Sequence, residues 1–434
     1  MTSVKLVAAN LLIILFTGSI WLWAAGENPT EVTKTPAKSG WDFEINVKDF
    51  GAVGDGKADD TAALQKAFDR ADASACRIVL PPGVFRITKT LRLEKTNGRG
   101  VTITGQGGTP WRHWPKATTL RWDGEQGGTL LRTVGISGCS IQNLNFDGNK
   151  KAGILYLAST VLGWGNMLNT MSNVHFFNAK TGIQMGEDEG EHNNADYHFQ
   201  FITFRSLETG FRVTNDQGVD FLFNYIFGLG VGTVLDFQRG GNLQVNTAQL
   251  TNCKLFLNID GGGRNVGVYV ANNVRIERSD AGKVGRDQLL RSNPKWRQAN
   301  VKFVGFDDCQ WNWNSNKTRA RYIPLCEIGP GTTVSIESSI FAGPVAALKG
   351  EETAPANLVM HECSFSYVKP QDAVSANEYG YLKLQNNMTA QMKPLADVVK
   401  WPAIDPVVIP ANSAHVAKSL LKPAVKKAPA PAKQ

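Results

Sequence analysis

The chain has 434 residues, enough for one large domain or two ordinary ones. Its formal net charge of +8 would suit a polyanionic ligand, but residues 415–434 contain five lysines and no acid. Most of the excess charge therefore lies in a Lys-, Ala- and Pro-rich tail that is predicted to be disordered, and composition argues against a nucleic-acid partner for the remaining chain.

The N-terminus contains an apolar run, residues 6–25, after a single lysine, as in a secretory signal. The run is also long enough to span a membrane, and Trp23 lies where signal cleavage prefers a small residue. Residues 1–25 are predicted to be a signal peptide or a signal anchor, followed by a linker at 26–40. Both alternatives predict a secreted, periplasmic or cell-surface protein, with membrane contact only through the anchor.

A turn rich in glycine and aspartate precedes a predicted helix within residues 47–71. Asp59 or Asp60 can cap a helix that begins near Thr61, because acids are favoured at the positive end of a helix. We interpret these acids as structural rather than catalytic. An apolar stripe on the helix would cover the open end of the fold; it comprises Ala63, Leu64, Ala67 and Phe68.

A short pattern with the alternation of a β-strand recurs along the chain, with copies 21–35 residues apart. The copies are NLNF at 143, NVHF at 173, FITF at 201, NYIF at 224, NCKL at 252, NVRI at 273, DCQW at 308, SSIF at 338 and ECSF at 362. Several are followed by a second strand that opens with glycine. This spacing predicts an all-β, single-stranded parallel β-helix over residues 41–370, with a C-terminal cap or extension at 371–414.

Stacking of the coils assigns roles to the repeated residues, because equivalent positions would lie about 4.8 Å apart. The last position of the pattern predicts an interior aromatic column of Phe146, Phe176, Phe204, Phe227, Trp311, Phe341 and Phe365. The first position predicts one turn with left-handed backbone, occupied by Asn143, Asn173, Asn224, Asn252 and Asn273. Inward positions are predicted for Cys253, Cys309 and Cys363, which are interpreted as buried apolar residues rather than disulfides.

The stretch DFGAVGDGKADDTAALQKAFDRA, with RIVLPPGVFRIT after it, closely resembles the N-terminal signature of the pectate-lyase-like superfamily. That group includes rhamnogalacturonases, polygalacturonases, epimerase-like β-helices and some phage tailspikes. The resemblance covers residues 47–88 and implies a right-handed parallel β-helix that acts on carbohydrate. It does not specify a reaction, and the polygalacturonase motif Gly-His-Gly is absent, so that family's catalytic set is not transferred.

Candidate catalytic residues come from aligning GIQMGEDEGEHNNAD at 182 with GFRVTNDQGVD at 210. The alignment places Glu187 over Asn215 and Asp188 over Asp216. Two adjacent carboxylates could act as acid and nucleophile on a glycosidic bond, or could hold Ca²⁺. Equally, the stretch could be a solvated loop that carries acids only because it is exposed, without a catalytic role. No metal ligand is firmly assigned.

Three further residues near this loop are candidates for the same chemistry. Arg212 and Arg239 are candidates for the base that a lyase needs beside a uronate carboxylate, and His192 is a candidate proton carrier.

Candidate substrate-binding residues lie elsewhere in the chain. Trp111 and Trp114 could stack on sugar rings. Arg319 and Arg321 could bind uronate or sulfate groups.

These observations predict an exported carbohydrate-active β-helix protein that cleaves an acidic, uronate-type polysaccharide by hydrolysis or β-elimination. Hydrolysis would need no cofactor, whereas a lyase could use Ca²⁺. The alternative is a non-catalytic β-helix that binds polysaccharide or has a structural role at the cell surface. The sequence does not define an oligomeric state.

Overall fold

A computed structural model describes residues 44–389, except 72–75, 95–99, 108–116, 161–164, 189–191, 261–266, 278–286, 295–297, 310–322, 342–343 and 366–373. The predicted signal or anchor, the linker and the tail at 415–434 lie outside the described residues. Within the described part of the chain, no helix has both the length and the hydropathy that crossing a membrane requires.

Nearly all of the described strands join one sheet, in which each strand pairs in parallel with strands of the coils below and above it. The chain winds through three faces per coil, as predicted for a single-stranded right-handed parallel β-helix. Three long strands turn the corners between faces: Ser140–Asp147 runs over the first and second faces, and Thr170–Met185 and Tyr197–Val213 run over all three.

The remaining strands divide among the three faces. The first face contains Glu44–Asn46, Arg77–Val79, Thr102–Thr104, Val219–Phe223, Gly241–Val245, Gly267–Asn272, Ala299–Val304, Thr332–Glu337, Ala356–His361 and Gly380–Gln385. The second contains Asp55–Asp59, Gly83–Ile87, Thr118–Trp122, Ile226–Leu229, Ala248–Thr251, Val274–Glu277, Asp307–Cys309, Ile340–Phe341, Ser364–Phe365 and Met388–Thr389. The third contains Leu91–Glu94, Thr129–Val134, Ile154–Ser159, Thr233–Phe237, Leu255–Ile259, Gln288–Ser292, Cys326–Ile328, Ala346–Leu348 and Val374–Ala376. A separate pair joins Asn166–Met167 to Asn194–Ala195.

Two helices lie at the N-terminal end: a short 3-10 helix, Val47–Phe50, and the α-helix Thr61–Ala71, here α1. The buried face of α1 consists of Leu64, Ala67, Phe68 and Ala71. Asp59 accepts a hydrogen bond from the backbone N–H of Thr61 at 3.0 Å, as a helix-capping residue does.

Asp60 is 1% exposed, and its side chain binds the turn before the helix, while its backbone carbonyl accepts the N–H of Leu64 in the helix at 2.9 Å. Its carboxylate accepts the backbone N–H groups of Val53 at 2.5 Å and Gly54 at 3.0 Å. The two acids thus have the structural role that the sequence predicts.

The interior aromatic column is confirmed in part. The rings of Phe146 and Phe176 stack at 5.0 Å, those of Phe176 and Phe204 at 5.9 Å, and those of Phe341 and Phe365 lie 5.3 Å apart. Trp311 lies outside the described residues.

The copy NYIF is out of register by one residue and the copy DCQW by three residues. The partner of Phe204 in the next coil is Gly228, so Phe227 lies on the outer side of the wall and the prediction for it is wrong. Asp308, predicted to be a turn residue, pairs with Ile276 and is buried, while Cys309 pairs with Glu277.

The predicted asparagine turn divides into two turns. Asn143, Asn173 and Asn273 have left-handed backbone in the turn between the first and second faces. Asn252 is also left-handed, but it follows Ala248–Thr251 and so belongs to the turn between the second and third faces. Asn224 is not left-handed; in the coil before it, Phe201 takes that conformation. Cys253 and Cys363 are buried and free, as predicted.

Candidate functional site

The outer surface of the third face carries a row of aligned, mostly polar side chains, here called the polar ladder. Strand register places one member in each successive coil: Arg132, Leu157, Gln184, Arg212, Asp236, Asn258, Arg291 and Glu327. Because side chains alternate along a strand, the neighbours of each of these residues point into the core. The polar ladder therefore forms a row of hydrogen-bonding groups along the β-helix axis that is interrupted only by the buried Leu157 among its eight members.

Arg212 and Asp236 form an ion pair at the centre of the polar ladder, with Arg212 Nε and Asp236 Oδ2 3.0 Å apart. Asp236 is 6% exposed and also accepts a hydrogen bond from Asn258 at 2.9 Å. Arg212 donates a second bond to Thr209 at 2.8 Å. A guanidinium has five N–H donors, so these two bonds hold Arg212 in place and leave donors for a ligand.

Glu187 makes a bidentate pair with Arg132, with both nitrogen–oxygen distances 2.8 Å. Ser159 donates to the same carboxylate at 3.2 Å, and Arg132 also contacts Glu94 at 2.5 Å. The hydrogen bonds from Arg132 hold the pKa of Glu187 below its ordinary value. Glu187 is therefore held in its ionised form, which does not suit a general acid.

Asp216 lies beside Arg239, with Arg239 Nη1 and Asp216 Oδ1 2.8 Å apart. Met185 pairs with Val213, so the segments that follow these two residues lie in neighbouring coils. The segment after Met185, residues 186–193, is here called the upstream loop, and Asp188 is exposed near its start. The structure thus brings together Asp216 and Arg239 and places Asp188 in the neighbouring coil.

His192 is half-buried at the far end of that upstream loop. Its backbone carbonyl accepts a hydrogen bond from Asn215 at 3.0 Å, so the backbone of His192 is fixed against the coil that carries Asp216. The other predicted contact residues, Trp111, Trp114, Arg319 and Arg321, lie outside the described residues.

Sequence reasoning missed the roles of Arg132 and Glu94. Arg132 is 55 residues from Glu187, and no local pattern connects them. Aligning the strand Thr129–Val134 with Ile154–Ser159 on the third face would have placed Arg132 one coil below Leu157.

The described residues do not fit a Ca²⁺ site. They include no group of three or more His, Cys, Asp and Glu side chains that could hold a metal ion. Three of the described acids near the loop are paired with arginine instead, Glu187 with Arg132, Asp216 with Arg239 and Asp236 with Arg212. Such pairing removes the negative charge that a calcium site depends on.

The fold defines a right-handed parallel β-helix protein, and the polar ladder is a candidate ligand surface on its third face. Residues 44–113 match the family "Rhamnogalacturonase A/epimerase, pectate lyase-like". The predicted resemblance to the pectate-lyase-like superfamily is confirmed.

Several curated relatives act on mannuronan or on alginate, according to their names. "Mannuronan C5-epimerase AlgE5" of Azotobacter vinelandii is 28% identical over 232 residues, which cover 48% of this chain and 19% of the relative. "Alginate lyase 7" of the same organism is 54% identical over 47 residues, or 11% of this chain and 6% of the relative. The chain spans less than a fifth of the length of these relatives.

A solved structure, the A-module of A. vinelandii mannuronan C-5 epimerase AlgE6, aligns with 80% of this chain and 99% of its own. The sequence identity is 17% and the TM-score is 0.43.

Proposed function

We propose that the protein is an exported enzyme that acts on an acidic, uronate-type polysaccharide by removing the proton at C5 of a uronate residue. The observation that carries the proposal is the exposed guanidinium of Arg212. Its side chain is 30% exposed, while the nearly buried Asp236 orients it. A fixed guanidinium with donors to spare suits the planar carboxylate of a uronate.

The proposed chemistry requires a cation and a base. Arg212 would bind the uronate carboxylate and stabilise the charge that develops when C5 loses its proton. Asp188, exposed in the neighbouring coil, would take that proton. In β-elimination the C5–H electrons form the C4–C5 double bond, the C4–O bond breaks, and the departing oxygen receives a proton. Return of a proton to the opposite face of C5 would give epimerisation instead.

The ion pairs favour this chemistry over two-carboxylate hydrolysis. Hydrolysis needs a carboxyl group that stays protonated until the transition state. Glu187 is held ionised by Arg132, and Asp216 is paired with Arg239. The names of the alginate relatives, an epimerase and a lyase, are consistent with C5-proton chemistry.

The second candidate function is binding without catalysis. It is favoured by Arg212 and Arg291 of the polar ladder, whose side chains are 30% and 53% exposed and could bind the carboxylates of an acidic chain without a reactive group.

The test is a panel of polyuronates incubated with the protein in deuterated water. Elimination would give ultraviolet absorbance from unsaturated uronates, epimerisation would give deuterium at C5, and hydrolysis would give new reducing ends alone. Substrate retention without any of these products would identify a binder and would overturn the proposed chemistry.

Asp188→Asn is the informative variant, because it replaces an exposed side chain without changing its shape. We expect the turnover rate to fall by about 10²–10⁴-fold, the usual loss when a positioned base is removed. Glu208→Gln is the matched control, since Glu208 is an exposed acid in the preceding turn of the same coil as Asp216. Equal activity in the two variants would exclude Asp188 as the base.

A further inference from the structure

The upstream loop that carries Asp188 and His192 is fastened at both ends by one dipeptide in the next coil. At the start of the loop, Thr214 Oγ1 donates to the carbonyl of Gly186 at 2.8 Å. At its end, Asn215 Nδ2 donates to the carbonyl of His192 at 3.0 Å. Both bonds cross from one coil to the next, so they are not part of the loop's own conformation.

Asn215 is held in a closed space. It is fully buried, and a Cβ atom built on Gly186 or Gly218 would lie 2.8 Å from its side-chain oxygen. Real Cβ atoms essentially never approach so closely, so both positions require glycine while Asn215 occupies this site. Gly186 also has a left-handed φ of +91°, a conformation that glycine adopts without strain.

The residue after this dipeptide is Asp216, which pairs with Arg239. Three consecutive residues, Thr214, Asn215 and Asp216, thus fix the start of the loop, fix its end and provide the facing carboxylate. The neighbouring Gln184 strengthens the first attachment by donating to the carbonyl of Gly186 at 2.9 Å.

We propose that Thr214 and Asn215 are positioning residues that set the position of Asp188 and His192 relative to Arg212, two residues before Thr214 in the next coil, and to the Asp216–Arg239 pair. This inference rests on the proposed function, because it assigns the two residues to the same site. Neither touches substrate. They act through the backbone at Gly186 and His192, while Glu187 is held separately by Arg132 and Ser159. A misplacement of about 1 Å at a reacting group can lower the rate about 100-fold.

Thr214 gives the cleaner test, because Thr214→Val keeps the shape of the side chain and removes its donor, while Thr214→Ser keeps the donor. We expect Thr214→Val to lower kcat about tenfold with KM nearly unchanged, and Thr214→Ser to stay within about twofold of the original chain. The two variants should have the same Tm within a few degrees. Equal kcat values in the two variants would overturn the proposal.

Hydrogen exchange gives a second measurement that does not depend on activity. In Thr214→Val, the peptide spanning residues 186–194 should exchange faster, whereas peptides from the first-face strands Ala299–Val304 and Thr332–Glu337 should be unchanged. Faster exchange with full activity would show that the attachment exists but does not position the site, against the proposal. A chain that neither converts nor binds polyuronate, yet shows the exchange effect, would refute the proposed function and retain the loop attachment.

Discussion

Aspartates have three different roles in this chain, and their surroundings decide which. Asp60 is buried and accepts two backbone N–H groups, so it builds a turn. Asp236 is nearly buried and orients Arg212. Asp188 is exposed in the loop and is the candidate base. The sequence letter is the same in each case, so burial and the nearest partner, not residue type, separate structure from chemistry.

Asp123 provides a prediction about pH. It accepts hydrogen bonds from Lys151 and Arg86, each at 2.6 Å, and these cations lower its pKa to about 2. An aspartate whose folded pKa is depressed stabilises the fold above its unfolded pKa of about 3.9, and that contribution is lost as the pH falls toward 2. Because Lys151 and Arg86 are partly exposed, we expect about 1 kcal/mol.

Thermal unfolding of the original chain and of Asp123→Asn checks this prediction. The original chain should unfold at the higher temperature at pH 6, and the two curves should converge between pH 4 and pH 2. Glu125→Gln, a change at an exposed acid two residues away, should leave Tm unchanged across that range. A gap that persists at pH 2 would contradict the assignment.

Asn173 shows what one turn residue contributes. Its backbone is left-handed, with φ of 54°, its amide donates to Asn143 at 3.0 Å, and its carbonyl oxygen is 3.0 Å from Nε2 of the buried His175. Asn173→Ala should lower the free energy of unfolding by about 2–4 kcal/mol, because it adds backbone strain and removes two hydrogen bonds, one of them to the buried His175.

Asn273→Ala is the matched control for chemical denaturation. Asn273 has the same left-handed backbone, with φ of 49°, but its side chain is exposed. Its loss should be limited to the backbone strain, about 1 kcal/mol. If the two variants were equally destabilised, the side-chain hydrogen bonds of Asn173 would contribute nothing to the free energy of unfolding beyond the effect of its backbone conformation.

At the scale of the element, the coils differ in length, but their strands still stack in register on each face. Gly182 and Gly210 lie at the start of the third face, where successive coils approach closely. A Cβ on Gly182 would lie 2.7 Å from the carbonyl oxygen of Gly210, and one on Gly210 would lie 2.7 Å from that of Val234. The glycines that open these strands in the sequence therefore mark close backbone contact between successive coils.

Gly210→Ala tests this contact. The added methyl group would also lie 2.8 Å from the ring of Phe204, so the coil or the aromatic column must shift, and we expect a loss of about 1–3 kcal/mol in unfolding free energy. Gly230→Asn is the control, because Gly230 has open space around it and a left-handed φ of +63° that asparagine tolerates. Equal stability of Gly210→Ala and the original chain would show that this position accommodates a methyl group without loss of stability.

The sequence predicts the coils well and the contacts between distant coils poorly. The recurring strand pattern identifies Phe146, Phe176 and Phe204 as one column, because a solenoid must repeat the same inward position. It misplaces Phe227 by one residue, because Tyr225, Ile226 and Phe227 are all apolar and the alternation does not show which of them face inward. The pair of Arg132 and Glu187 is hidden from the sequence, because only the register of the third face brings those strands together.

At the scale of the whole molecule, the ends of the β-helix differ from its middle, because an end coil exposes unpaired strand edges. Gln65 of α1 occupies such an edge: its amide donates to the carbonyl of Arg92 at 2.9 Å and accepts the N–H of Arg92 at 2.9 Å. Arg92 lies in Leu91–Glu94, the first strand of the third face, which pairs on its other side with Thr129–Val134. The helix thus replaces the missing lower neighbour with one side-chain amide.

Gln65→Ala should therefore open the N-terminal end while leaving the rest of the stack folded. Removing both bonds leaves the N–H and carbonyl of Arg92 to water, which should cost about 1 kcal/mol and speed hydrogen exchange in Leu91–Glu94. Lys66→Ala is the matched control, because Lys66 is the next residue of α1 and is exposed. We also expect the Gln65 variant to self-associate more at high concentration, measurable by light scattering, since a freed edge can pair with another chain. Identical exchange and scattering in the two variants would mean that the apolar face of α1, not its amide, protects this end.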